Sequence, residues 1–257
     1  MEIPKNTFKA AIKAGKRQLG MWSAIPHPSI AEMLAGCGFD WLLFDTEHAP
    51  SDPLVAYSLL QAASAYPVST GVRPSALDVT LLKRVLDAGA QTVIVPYVQT
   101  PEEAALAVAA VTYPPEGIRG VAAGMRASRW GAVKDYAQKA RDEIALIIQI
   151  ETREALERLD EIAAVPGLDG IFVGPSDLAA SLGYPGQPGH KAVRAACVDA
   201  ITRIRDAGLP PGFLALDDVV LEEMVEAGSI FTAIDVDTAL LRRTALSRIA
   251  EWRAKVS

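Results

Sequence analysis

Short apolar runs recur along the chain at 18–23, 40–45, 68–73, 92–97, 144–150, 169–173, 211–215 and 230–236. Runs of this kind read as strands buried on both faces. The intervals between them carry a helical period. In 152–164, Ala155, Leu156, Leu159, Ile162 and Ala163 follow i, i+1, i+4, i+7 and i+8, which is one face of a helix. In 78–88, Val79, Leu82, Val85 and Leu86 do the same, with Asp78 placed to cap the start. Gly36, Gly38, Gly89 and Gly208 punctuate helix ends. The segment 237–255 predicts a last helix with Leu240, Leu241, Ala245, Leu246 and Ile249 on one side, which either closes the fold or docks on a neighbour. Eight strands alternating with helices over residues 1–257 predict one domain of the (β/α)8 barrel class. An open doubly wound sheet is the rival, but no GxGxxG follows the first strand.

Polar residues gather just after the strands, at the rim where barrels keep their chemistry. Ile144–Glu151 is an apolar run ending in a carboxylate, and Gln149 and Glu151, two apart, face one space. The next strand leads into Gly174-Pro175-Ser176-Asp177. Two carboxylates, Glu151 and Asp177, at the ends of neighbouring strands suit a hard divalent cation such as Mg2+ or Mn2+. The competing reading of Asp177 is a helix cap. Arg73 ends a strand before Pro74, which favours extended geometry, and could stabilise a developing enolate or form a salt bridge to the nearby acids. His48, in Asp45-Thr46-Glu47-His48, is a candidate general acid/base that Asp45 or Glu47 could orient. His27 and His190 lie in turn-rich stretches and are weaker candidates. No lysine falls at a strand end, which argues against iminium chemistry. The loops after the last two strands carry Asp217, Asp218, Asp235 and Asp237, the wrong sign for a phosphate site.

Composition narrows the classes. Net charge is −6 and the 25 Lys and Arg are scattered, so no nucleic-acid footprint is present. Cys37 and Cys197 have no metal or redox spacing and read as small core residues. No leader-like apolar stretch opens the chain and no run is long enough to span a bilayer, which predicts a cytoplasmic protein. The apolar fraction of 50% predicts a buried subunit interface and hence a homo-oligomer.

The segments FDWLLFDTEHAP (39–50), VRPS (72–75), DAGAQTVIVPYVQTPEEA (87–104), YPPEGIRG (113–120), RASRW (126–130), IIQIETREA (147–155) and GIFVGPSDLAASLGYPG (170–186) closely resemble the metal-dependent (class II) 2-keto-3-deoxy acid aldolases. Within that family they are most similar to the branch acting on 4-hydroxy-2-oxoheptanedioate in aromatic degradation. The resemblance implies a barrel, a hexamer built as a trimer of dimers with an exchanged C-terminal helix, and Mg2+, Mn2+ or Co2+ held by Glu151 and Asp177. It implies that a 2-oxo acid such as pyruvate or hydroxypyruvate and an aldehyde are the small-molecule partners. It also implies that Arg73 holds the pyruvate oxygen, that His48 is catalytic and that Asp87 approaches it from an adjoining subunit. On its own, Asp87 reads as an exposed helix residue. By the same likeness Gln149, Gly174, Pro175 and Ser176 line the pyruvate pocket, Trp22 and Leu216 form its walls, and the 121–125 loop helps bind the aldehyde. Thr46 and Ser176 depart from the pattern, standing where relatives often have Gly and Ala. A lyase of CoA esters on the same barrel is the alternative; it needs a basic groove, for which Arg119, Arg126 and Arg129 are available.

Overall fold

A computed structural model of the chain describes residues 1–256. Eight parallel strands close into a barrel in sequence order. They are β1 (Gln18–Ser23), β2 (Trp41–Asp45), β3 (Ser69–Arg73), β4 (Thr92–Val95), β5 (Ala145–Ile150), β6 (Gly170–Val173), β7 (Pro211–Leu214) and β8 (Phe231–Val236). The last strand returns to the first, with Gln18 opposite Phe231 and Gly20 opposite Ala233. All eight expected strands are present. The fourth ends at Val95 instead of residue 97, because Pro96 offers no N–H to the ladder and Tyr97 turns to φ 58.

Helices cover the outside of the barrel. Val79–Asp87 begins under an Asp78 cap, as its sequence predicts. The helical face at 152–164 is real but interrupted: Arg153–Glu157 and Leu159–Ala163 are separate helices, with Arg158 between them at φ −100, ψ 9. The predicted closing helix forms as Asp237–Val256. It does not close the barrel, since β8 pairs β1 directly, and it holds Leu241, Leu246, Ile249 and Trp252 about half exposed. Among the described residues no helix is long and apolar enough to cross a membrane.

Two apolar layers result. The larger lies between sheet and helices. The smaller fills the barrel with Trp22, Trp41, Leu43, Ile147, Phe172 and Phe231, and Phe8 of the helix Thr7–Lys13 plugs its lower end. Phe8 packs 5.7 Å from Trp41 and 5.5 Å from Phe231, ring centre to ring centre. Glycines make room for these rings: a Cβ on Gly20 would lie 2.1 Å from Trp41 Cε2, and one on Gly212 would lie 2.0 Å from a Phe231 ring carbon. The cysteine expectation holds for one of two. Cys197 is buried and its thiol is pushed up to about 12 by burial. Cys37 is exposed, because it follows the end of the helix Pro28–Ala35 instead of facing inward.

Substituting Gly212→Ala forces the Phe231 ring to shift inside a filled barrel. Chemical denaturation should show a loss of about 1–3 kcal/mol. An unchanged midpoint would mean that the barrel interior has slack where it is drawn tight.

Candidate active site

At the end of β3, Arg73 is only 5% exposed. Its Nε donates to Asp45 Oδ1 at 2.9 Å and its Nη2 to Asp45 Oδ2 at 2.6 Å, a fork on a fork. Nη1 lies 2.8 Å from Glu47 Oε2, and the guanidinium stacks 4.7 Å from the Trp22 ring centre. The salt bridge weighed as the alternative for Arg73 is therefore present, and it serves to aim the fork. Asp45 is in turn held by the Trp22 indole N–H at 3.2 Å and the Glu47 backbone N–H at 3.0 Å. Burial pushes Asp45 up, but the Arg73 bonds and charge outweigh it and hold the carboxyl below its ordinary value. Thr46 ties the tips of β2 and β3 together: its Oγ1 and its N–H both donate to the Arg73 carbonyl, at 2.7 and 3.0 Å.

Across the rim, Glu151 follows β5 and is 1% exposed. The Tyr97 N–H donates to its Oε1 at 2.7 Å, and Gln149 Nε2 donates to its Oε2. Gly174 lets this packing happen, since a Cβ there would lie 2.6 Å from both Gln149 Nε2 and Glu151 Oε2. Asp177 sits in the first turn of the helix Pro175–Ser181. That helix starts at Gly174 with no side-chain cap, so Asp177 is not a cap and the competing reading falls. The cap of the preceding helix is likewise Thr152 and not Glu151. Burial raises Glu151 to about 7; the Tyr97 N–H opposes this, and the negative charges of Asp177 and Glu47 add to it. Glu47 is also raised, first by burial, with Arg73 opposing. Gln149 Oε1 is buried with no hydrogen-bond donor. Oxygen donors, an unpartnered amide oxygen and an acid cluster short of positive charge fit a hard divalent cation.

Most of these groups line one cavity of about 490 Å3, while Glu47 and Glu151 stand behind its lining. Trp22, Asp45, His48, Arg73, Gln149, Gly174, Pro175, Ser176, Asp177 and Leu216 all line it. His48 is exposed and its Nε2 lies 3.7 Å from Glu47 Oε2. Phe172, Phe213, Val220 and Val236 add an apolar wall that the sequence reading left out. The signal was available for Phe172, Phe213 and Val236, which lie in expected strands, whereas Val220 comes from the helix Asp218–Ala227. His27 and His190 are helix caps, each Nδ1 accepting a backbone N–H at 3.2 Å, and His190 stacks on Tyr184. Asp217 caps the helix Asp218–Ala227 while lining the cavity. Asp237 accepts from Ser23 Oγ, Ala24 N and Ile25 N at 2.9–3.1 Å and so pins the turn after β1 to the start of the last helix.

Two readings need correction: the exposure of Asp87 and the basic groove of Arg119, Arg126 and Arg129. Asp87 ends the helix Val79–Asp87, which runs back toward the start of β4, on the opposite rim from His48. It is half-buried instead of exposed, because Arg119 Nη2 donates to its Oδ1 at 2.9 Å. Arg119 is fully buried against the Tyr113 ring. Arg126 binds the carbonyls of Ala88 and Leu60, and with Arg129 lines a small cavity beside Gly89 and Ala90. These arginines form no groove at the mouth of the large cavity. Residues 121–125 do not line that cavity either.

A barrel with paired carboxylates and a guanidinium at the C-terminal ends of its strands accommodates carbon–carbon lyase chemistry, and the comparisons with known proteins define that class. The family model described as HpcH/HpaI aldolase/citrate lyase matches residues 18–244, and the chain belongs to that family. It is 53% identical over 252 residues to a hydroxypyruvate/pyruvate aldolase of Sagittula stellata, covering 98% of this chain and 100% of that one. It is 47% identical over 254 residues to a 4-hydroxy-2-oxo-heptane-1,7-dioate aldolase of Escherichia coli, covering 98% and 97%. A crystal structure of an HpcH/HpaI aldolase/citrate lyase family protein from Burkholderia cenocepacia J2315 superposes with a TM-score of 0.94 at 37% identity, covering 97% of this chain and all of that one.

The folded value of Glu151 lies above the ordinary 4.5. In the cation-free protein its stabilising contribution is therefore present below about pH 4.5 and is lost as pH rises through about 7, on the order of 3 kcal/mol in all. Mn2+ takes the ionised carboxylates and should remove the loss. Denaturation across that window should show a falling stability without cation and a flat or rising one with it. Glu151→Gln should abolish the difference, and the same slope with and without Mn2+ would refute the cation site.

Proposed function

We propose that the chain cleaves and forms the carbon–carbon bond of 4-hydroxy-2-oxo acids, giving pyruvate or hydroxypyruvate and an aldehyde. The whole of 1–257 then acts as one barrel domain. The observation that carries this reading is the Arg73 fork, locked by Asp45 and lining the same cavity as Asp177 and Gln149, with Glu151 packed directly behind Gln149 and Gly174. Glu151 and Asp177 would hold a divalent cation, Mg2+, Mn2+ or Co2+, which when bound polarises the carbonyl of the 2-oxo acid and eases loss of charge onto its oxygen. Two of Arg73's five N–H groups are taken by Asp45 and Nη1 forms an ion pair with Glu47, which leaves N–H groups free for the keto oxygen as the enolate forms. His48, exposed at the cavity lip, takes the proton of the C4 hydroxyl as the C3–C4 bond breaks and delivers it to C3 of the enolate, giving the 2-oxo acid; synthesis reverses both transfers. Glu47, between Arg73 and His48, orients the imidazole. The apolar wall of Phe172, Phe213 and Val236 excludes water from the enolate and from competing protonation.

The reading extends to assembly. The half-exposed apolar residues of Asp237–Val256 are suited to a second copy, and a hexamer of three dimers exchanging this helix would cover them. Assembly would also allow Asp87, which one chain holds away from His48, to reach the site of a neighbour.

The test is exchange of the pyruvate methyl protons in D2O, followed by NMR. The expected result is exchange that EDTA stops and Mn2+ restores, and that Arg73→Ala slows on the order of 10²–10³-fold. Exchange indifferent to chelation, or unaltered in Arg73→Ala, would overturn the mechanism. Mixing inactive His48→Ala and Asp87→Asn chains should recover part of the aldol activity. No recovery after verified subunit exchange would place Asp87 outside the site.

A further inference from the structure

Among the described residues, Tyr97 is one of three non-glycine residues with positive φ, at 58°. The other two, Arg129 and Trp130, are explained within their own loop, where their N–H groups donate to the carbonyls of Arg126 and Met125. Tyr97 has no such local partner. Its N–H donates across the rim to Glu151 Oε1 at 2.7 Å. The next N–H, that of Val98, donates to the Gln149 carbonyl at 3.3 Å. After Pro96 has ended β4, the left-handed turn thus aims two successive N–H groups at the tip of β5, one at backbone and one at a carboxylate. Only the Tyr97 N–H reaches the carboxylate, while the Val98 bond holds the turn against β5. The phenol ring takes no part, being 54% exposed with the backbone making the contact.

The arrangement decides how Glu151 presents itself. Gln149 Nε2 takes one lone pair of Oε2 and Tyr97 N–H one of Oε1, so each oxygen keeps one lone pair for a further ligand. If residue 97 relaxed to negative φ, its N–H would swing away. Oε1 would then lose its only fixed donor and the carboxylate could rotate. Unfavourable backbone geometry at a functional site commonly marks this kind of positioning.

We propose that the left-handed backbone of Tyr97 is the positioning element for the cation ligand Glu151, and that the side chain at 97 matters only through its tolerance of that backbone. This rests on the reading of Glu151 as a ligand. The test measures Mn2+ affinity by the EPR signal of free Mn2+, with no turnover involved, on Tyr97→Gly, Tyr97→Asn, Tyr97→Ala, Tyr97→Val and Glu151→Ala, each checked for fold by circular dichroism. Gly and Asn accept positive φ readily, whereas Ala does so poorly and Val hardly at all. Affinity should stay within about twofold of the parent for Gly and Asn, fall for Ala, and fall at least about tenfold for Val, the scale on which outer partners of metal ligands act. Should Tyr97→Val fail to fold, the Gly to Ala comparison carries the same question. Equal affinity in Gly and Ala, or a loss in Gly as large as in Val, overturns the positioning role while a weak Glu151→Ala keeps the ligand reading. Unaltered affinity in Glu151→Ala overturns both.

Discussion

The charge balance at the open rim of the barrel governs this structure. Asp45, Glu47, Glu151 and Asp177 crowd one end of an otherwise apolar cylinder, and among the described residues Arg73 is the one permanent cation in the lining of the cavity there. Carboxylates removed from water repel one another strongly unless something positive sits among them. The fold answers with two different solutions on two sides. On the β2–β3 side a forked guanidinium neutralises Asp45 outright and leaves it ionised. On the β5–β6 side only amide N–H groups face Glu151, and its proton affinity climbs. The second side is left wanting a cation, and the first supplies a fixed positive group a short distance away.

The rest of the barrel serves this asymmetry. Thr46 clasps the Arg73 carbonyl and keeps the tips of β2 and β3 together. Gly174 gives up a side chain so that Glu151 and Gln149 can lie flat against the start of the following helix. Asp237 gathers the turn after β1 and so fixes the base from which Trp22 reaches Asp45. None of these residues needs to touch a reactant to matter, since each narrows the positions its neighbour can take.

Much of this was legible before any coordinates. Alternation along a strand put Gln149 and Glu151 on one side, and the order of strands put Asp177 beside them, because in a barrel the ends of consecutive strands are neighbours. Arg73 and His48 were found by the same rule. What was not legible depended on contacts distant in sequence or on local rules being broken. A tyrosine with positive φ contradicts the preference of its own residue type, so Tyr97 gave no signal. Arg119 lies in a connection rich in Gly and Pro, which suggests solvent, yet it is wholly buried on Tyr113 and holds Asp87 from a position 32 residues away. Asp237 read as loop charge because nothing in its own neighbourhood reveals that β1 ends beside it. The single helix expected at 152–164 failed for a smaller reason: apolar spacing continues through Arg158 although the backbone does not.

The aromatic plug under the barrel has one more implication. With Phe8 wedged against Trp41 and Phe231, the lower end is sealed and the cylinder has a single doorway. Whatever enters the cavity therefore comes and goes past the rim where Asp45, Arg73 and Asp177 stand.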